Sequence, residues 1–347
     1  AGISISALTN QGLFKNAKAA QNATEKAEAE QGQILNEYEE ELNKYLSNND
    51  KKEEKLIDKV NNGTIKIGDY VKYTPNTAST TEILQELNTY SGSDKNTTST
   101  LTQESLNWRV LDIKDGQVRL ISELPTTSTI TLSSYNGYNN AVKLLDDTCS
   151  TLYTNKQLAS KVQNIKIEDI QDKMVETDYS KFDSNYGKTF TPTNKYYPNI
   201  LIKEKEQKVN GTAGTELGLS EQTEVINQTT KPQATSLEIK YTYWNKTMTT
   251  TDFKDSKYYE LFINNGSNYS TYWMSSRCIG VASNVAGFTV RLVSTGTVNV
   301  YRLCNSNGYE IPNTYAFRPI ITLNSNVQID TANSGNGSTA EQAYIIK

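Results

Sequence analysis

The chain has 347 residues, with 35 basic and 39 acidic side chains and a net charge of −4, so it offers no basic footprint to a nucleic acid. It contains no histidine, which removes the commonest general base and the commonest metal ligand and excludes every triad built on that residue. Its three cysteines are too few for an all-cysteine structural zinc site, and no apolar run reaches the roughly 18 residues that span a bilayer.

The first predicted element covers residues 1–46. From Leu13 the less polar positions recur as Leu13, Ala17, Ala20, Thr24, Ala27, Gln31, Ile34, Tyr38, Leu42 and Tyr45, three or four residues apart. That is the spacing of one helix face. Ala, Glu, Lys, Gln and Leu dominate, and no proline precedes Pro75. We expect a helix of roughly 34 residues and about 50 Å, serving assembly with copies of itself or docking on its own domain. The residues expected to carry assembly are Ile3, Ile5, Leu8, Leu13, Phe14, Ala17, Ala20, Ala27, Ile34, Tyr38 and Leu42. The opening AGISISAL is apolar, β-branched and uncharged, and reads as the tail of a longer apolar segment upstream.

Residues 47–62 are a charged linker or second helix, and a globular region is expected over 63–347, with a sub-boundary near the 175–240 insertion. TIKIGDYVKY, 64–73, reads as two short strands bent at Gly68-Asp69. NWRVLDIKDGQVRLISEL is the clearest hairpin: Trp108–Ile113 against Gln117–Ser122, turning at Asp115-Gly116. Trp108, Val110, Leu111, Val118, Leu120 and Ile121 are its core candidates. Residues 136–162 read as two helices, the second starting at Asn155, with Tyr138, Ala141, Leu144, Leu145, Cys149 and Leu152 at helical spacing. Residues 179–198 and 209–236 read as long surface insertions with a strand over 199–208 between them. LEIKYTYW at 237–244 reads as a strand, and residues 257–263 as a helical turn. Beyond Tyr272 the chain is β-rich: YWMSSR, then GFTVRLVS and TVNVYRLC joined at Thr295-Gly296, then AFRPIITL and a last short strand at 344–346. The fold class expected is α+β: a long N-terminal helix followed by a large β-rich head with few helices and long loops.

Two resemblances add to this reading. AGISISALTNQGLFKNAKAAQNATEKAEAEQ resembles the region just after the membrane segment in type IV prepilin-like (pseudopilin-like) proteins of Gram-positive bacteria. This chain lacks the leader and the roughly 20 apolar residues of that pattern, so the membrane enters only through the missing upstream segment. The phrases GDYVKYTP, WRVLDIKDGQVRLIS, GYNNAVKLLDDTCSTLY, YWMSSRCI and FRPIITLNSNVQI occur in order and resemble a domain of Gram-positive surface proteins. The C-terminal part is similar to the lectin-like or formylglycine-generating-enzyme-like fold. The resemblances imply an extracellular cell-surface protein, a subunit of a pilus-like filament or pseudopilus whose partners are copies of itself through residues 1–46. The alternative they imply is a carbohydrate- or protein-binding module on a stalk, with a host glycan or surface protein as partner.

Few residues carry chemistry. Cys278 and Cys304 flank the last hairpin, and residues just outside two paired strands come within disulfide reach. A bridge is expected there, with two buried free thiols as the competing reading. Cys149 falls on an apolar stripe and is expected as a core thiol. Tyr243, Trp244, Tyr269 and Trp273 form the candidate ligand face, since amphipathic rings stack on sugars. The acid pair Asp146-Asp147 reads as a solvated face. No catalytic residue, metal ligand or cofactor site is assigned, and the chain is expected not to be an enzyme.

Overall fold

The computed structural model describes residues 18–24, 26–27, 31–32, 34–36, 38–39, 54–78, 101–201, 220–230, 237–263 and 271–347. The chain divides into two compact units, Ala1–Glu53 and Glu54–Lys347. In the smaller unit the described residues have helical backbone, the longest stretch being 18–24. Among the described residues no continuous helix of the roughly 34 residues expected from the period is seen. The described part of the chain is mostly β-sheet, which corrects the α+β class with its long leading helix. The physical reason is that a 3.6-residue period states which face would be buried, not that anything buries it. Ala20, Ala27, Ile34 and Tyr38 are exposed, and most helical stability comes from packing of the apolar face.

The larger unit opens at Glu54 rather than at residue 63, because α1 (Leu56–Asn61) belongs to it. Leu56 is buried, and its N–H donates to the Val327 carbonyl at 2.9 Å. There follow β1 (Tyr70–Lys72), β2 (Trp108–Lys114), β3 (Gln117–Ser122), β4 (Thr129–Ser133), α2 (Ser134–Tyr153), β5 (Ala159–Asn164) and α3 (Ile167–Gln171). Then come β6 (Thr189–Phe190), β7 (Ile239–Lys240), β8 (Lys246–Thr247) and α4 (Ser256–Phe262). The chain closes with β9 (Tyr272–Ala282), β10 (Val285–Ser294), β11 (Thr297–Asn305), β12 (Pro312–Ala316), β13 (Pro319–Leu323) and β14 (Tyr344–Ile345). Two six-stranded sheets result, ordered β14-β1-β2-β3-β13-β5 and β4-β12-β9-β10-β11-β8, beside the small β6-β7 pair.

The hairpins expected from turn chemistry are present. Asp115 and Gly116 take φ of 51° and 74°, and Thr295 and Gly296 take 36° and 79°. Two successive left-handed residues make the turn whose twist matches its flanking strands. All six core candidates of the first hairpin are buried, and they split between two apolar clusters. Val110 lies in one cluster and its neighbour Leu111 in the other, so both faces of the first sheet are covered. The larger cluster joins Leu144, Leu145 and Cys149 of α2 to Trp273, Phe288 and Leu303 of the second sheet. Through these side chains α2 packs on β5 and β13 of one sheet and on β9, β10 and β11 of the other.

Other sequence expectations change. One strand, not two, forms at 64–73: Gly68 turns with φ 88°, and a Cβ there would lie 2.8 Å from a Lys257 methylene. Asn155 does not start a helix. Its Oδ1 accepts from the N–H groups of Gln157 (2.9 Å) and Leu158 (3.2 Å), and the chain then runs into β5. An N-cap and an Asx turn share this local signature, and pairing with β13 decides between them. Residues 199–201 are helical, and the rest of the 199–208 strand lies outside the described residues. Within the strand expected at 237–244, only β7 forms. Strand β4, TITLS, alternates the buried Ile130 and Leu132 with polar residues and is a strand the sequence reading omits; it pairs with β12, PNTYA, whose alternation is weak.

The chain crosses from the second sheet to the first at Phe317-Arg318. Arg318 is fully buried and has no carboxylate partner among the described residues. Its guanidinium donates to the carbonyls of Ser122 (2.9 Å) and Glu123 (2.8 Å) and lies over the Tyr272 ring. Asn164 Oδ1 accepts from the Arg318 N–H at 2.8 Å, while its Nδ2 donates to the Trp273 carbonyl at 3.0 Å. A buried cation is thus satisfied by main-chain acceptors at the point where the two sheets are joined.

Candidate functional site

A polar cleft of about 580 Å³ opens beside the first sheet, within the size range of small-ligand sites. Its lining includes Gln117 and Arg119 of β3, Thr322 of β13, Lys161 and Gln163 of β5, and Glu168 of α3. Strand pairing brings the inner set together: Arg119 is opposite Thr322, and Thr322 is opposite Lys161. Ser220 and Glu221 contribute one further side.

The floor is an ion network. Arg119 grips Asp112 with two bonds, Nε to Oδ1 at 2.7 Å and Nη2 to Oδ2 at 2.6 Å, and reaches Asp169 with Nη1 at 2.5 Å. Lys173 Nζ adds a second cation 2.6 Å from Asp112 Oδ2. Burial works against ionising Asp112, but the bonds and charges of Arg119 and Lys173 outweigh it and hold the carboxyl below its usual range. Burial also opposes the Arg119 charge, and Asp112 and Asp169 more than offset that. The turn at Asp115-Gly116 makes 112 and 119 mirror positions of one hairpin, and the strand register pairs them directly. Two opposite charges at mirrored places of one hairpin are a sequence signal for this network, one that the reading of core positions alone misses.

Since Arg119 is fully engaged by carboxylates, it is scaffolding and not an anion receptor. Lys166 is engaged too, with Asp146 Oδ2 at 3.1 Å and the Ser220 carbonyl at 2.7 Å. Asp146 is therefore not part of a solvated acidic face. Burial pushes its carboxyl up, against the pull of Lys166. What remains open to a ligand is Lys161, the carboxylates of Asp115, Glu168 and Glu221, the Thr322 hydroxyl and the Gln163 amide, whose buried Oε1 has no hydrogen-bond partner among the described residues. One cation, three carboxylates and neutral hydrogen-bonding groups suit a small polar ligand, and this group holds no nucleophile beside a base.

The ligand face expected at Tyr243, Trp244, Tyr269 and Trp273 does not form. Trp244 is buried in the smaller cluster, stacked on Tyr179 at 5.2 Å under the Arg291 guanidinium. Trp273 is buried in the larger cluster, its Nε1 donating to the Ile130 carbonyl at 2.9 Å. Tyr243 is half-buried with its hydroxyl accepting from Asn245, and Tyr269 lies outside the described residues. Neighbours such as Tyr243 and Trp244 point to different sides of an extended chain, so one row of aromatics in sequence becomes several places in space.

The Cys278–Cys304 bridge is also absent, and all three cysteines are free and buried. Cys278 pairs with Thr289 and Cys304 with Phe288, so β10 lies between them. Two strand spacings put their backbones about 10 Å apart, beyond the roughly 7 Å a bridge tolerates. Cys304 and Ile279 belong to the larger cluster, whereas Cys278 faces the other side, its Sγ 2.7 Å from the Thr289 hydroxyl. Cys149 is the core thiol expected of it. Maleimide is expected to label none of the three thiols in native protein and all three after denaturation without reductant. A single label on denatured protein would restore the bridge.

Of the assembly residues, Ala20, Ala27, Ile34 and Tyr38 are exposed, and Ile3, Ile5, Leu8, Leu13, Phe14, Ala17 and Leu42 lie outside the described residues. Leu35, which the helical stripe omitted, is exposed beside them. No helix among the described residues is long and apolar enough to cross a membrane. Comparison with family models, curated proteins and solved structures matches this chain to none of them.

Proposed function

We propose that this chain is a structural, non-enzymatic subunit of an extracellular pilus-like filament or pseudopilus. Its N-terminal segment holds copies together, and the Glu54–Lys347 unit is the displayed head. The observation that carries the reading is the apolar surface of the N-terminal unit. Ile34, Leu35 and Tyr38 are 52%, 61% and 70% exposed on helical backbone. Large apolar groups gathered within five residues and left in water favour burial against a second copy. The Glu54–Lys347 unit has two apolar clusters of its own, as a separately folded head requires. The lack of any histidine supports a structural role over a catalytic one.

The test is the triple variant Ile34→Glu, Leu35→Glu, Tyr38→Glu in the full chain. Wild-type protein is expected to pellet as a large assembly and to show filaments by electron microscopy. The variant is expected to stay in the supernatant with the melting temperature of the head unchanged. A variant that pellets and forms filaments like the wild type would overturn the reading.

A further inference from the structure

Residues 220–230 are attached to the head as a bound peptide would be. Among the described residues, no main-chain to main-chain hydrogen bond reaches this strap. It is held by side chains instead, chiefly by a row of buried asparagines on α2. Asn136 donates from Nδ2 to the Gln228 carbonyl (2.9 Å) and accepts at Oδ1 from the Gln228 N–H (2.7 Å). One helical turn on, Asn140 repeats the arrangement with Ile226, at 2.9 Å and 2.8 Å. Each amide side chain therefore satisfies both main-chain groups of one residue, as a neighbouring strand would. The spacing explains the fit. Four residues of helix rise about 6 Å, and two residues of extended chain rise about 6.6 Å. Asn136 and Asn140 therefore meet Ile226 and Gln228 in register.

Two side chains are read as well: Gln222 Oε1 accepts from Arg277 Nη2 at 2.5 Å, and its Nε2 donates to Asn140 Oδ1 at 3.1 Å. Gln228 Oε1 accepts from Asn139 Nδ2 at 2.9 Å and from the Asn199 N–H at 3.0 Å, and the residue is buried. The groove thus reads an extended backbone and two glutamines, and Val225 and Ile226 between them pack against the larger apolar cluster. Eighteen residues, 202–219, precede the strap and six, 231–236, separate it from the buried Leu237. Fully extended, these reach at most about 60 Å and about 20 Å.

We propose that the asparagine row of α2 is a main-chain-reading peptide site whose second occupant is the 220–230 strap of another copy of this chain, so that copies are joined by strap exchange. The occupant follows from the contacts: the segment whose main chain meets Asn136 and Asn140 and whose Gln222 and Gln228 side chains are bonded by the head exists in identical form on each copy. Exchange makes no new contact type and breaks no sheet or helix ladder, which is the circumstance in which swapping is cheap. The inference rests on the filament reading only in that it supplies a head-to-head link to the assembly.

The experiment uses full chains carrying Asn140→Cys or Ile226→Cys, mixed in denaturant, refolded together and treated with a short bis-maleimide crosslinker. The three native thiols are buried, so the introduced ones react. A covalent dimer holding one copy of each variant is the expected product, absent when either variant is treated alone. The double variant on one chain reports closure in cis. If it closes within one chain and the mixture gives no mixed dimer, strap exchange is overturned. If neither product forms, the seating of the strap on α2 is wrong and the proposal falls with it. Sedimentation of the same samples separates the two readings. Pelleted assemblies without mixed dimer leave the filament and remove the exchange, and mixed dimer without pelleting does the reverse.

Discussion

Trp273→Ala is expected to destabilise the Glu54–Lys347 unit by about 3–5 kcal/mol, the usual cost of truncating a fully buried indole. Trp273 meets Tyr315 edge-on at 4.8 Å and anchors β9 against Ile130 of β4 through its Nε1. Truncation therefore opens a cavity in the larger cluster and leaves a main-chain carbonyl without its donor. Denaturant unfolding followed by circular dichroism measures the loss. The outcome also decides between two roles for this residue. As part of a sugar-stacking face it would be exposed, and alanine would cost almost nothing in stability. A change below about 1 kcal/mol would be that of a surface residue and would contradict its burial.

Asp112→Ala is expected to cost a similar amount, about 3–5 kcal/mol, for a different reason. It removes one carboxylate from a buried set of two cations and two anions, leaving Arg119 with one partner and Lys173 with none in the network. The loss should depend on pH. The folded Asp112 carboxyl is held below its unfolded value near 3.9, so its contribution is fully present above that value and is lost as pH falls through the folded value. Acid unfolding of the wild type should therefore carry a component below about pH 4 that Asp112→Asn lacks. Equal pH dependence of the two proteins in that range would show that Asp112 is not held ionised by its partners. Asp146 acts with the opposite sign. Its carboxyl is pushed up, so its contribution is present at low pH and fades as pH rises from the unfolded value to the folded one.

The N-terminal segment shows where local patterning stops informing structure. A heptad-like stripe of Ala and Thr announces a face but can bury little area, and Ala20, Ala27, Ile34 and Tyr38 are exposed. The head shows the converse. Arg119 and Asp112 look like stray charges in a strand until the hairpin register sets them side by side. Asn136, Asn139 and Asn140 look like poor helix formers until a segment some 90 residues later uses their amides as a strand edge.

Local chemistry was legible from the order of residues alone: the absence of any histidine-based site, the tight turns at Asp115-Gly116 and Thr295-Gly296, the strands those turns connect, the core residues of the first hairpin and the apolar stripe of α2. These follow from backbone sterics and side-chain period, which act over a few residues. Long-range packing settled the rest: that Asn155 opens a turn toward β5, that β10 separates Cys278 from Cys304, that Trp244 and Trp273 lie in different cores, and that residues 220–230 lie along α2. Each of these depends on which distant strand or helix becomes a neighbour. That choice is made by the joint burial of both sheets against α2, and no window of the sequence contains it.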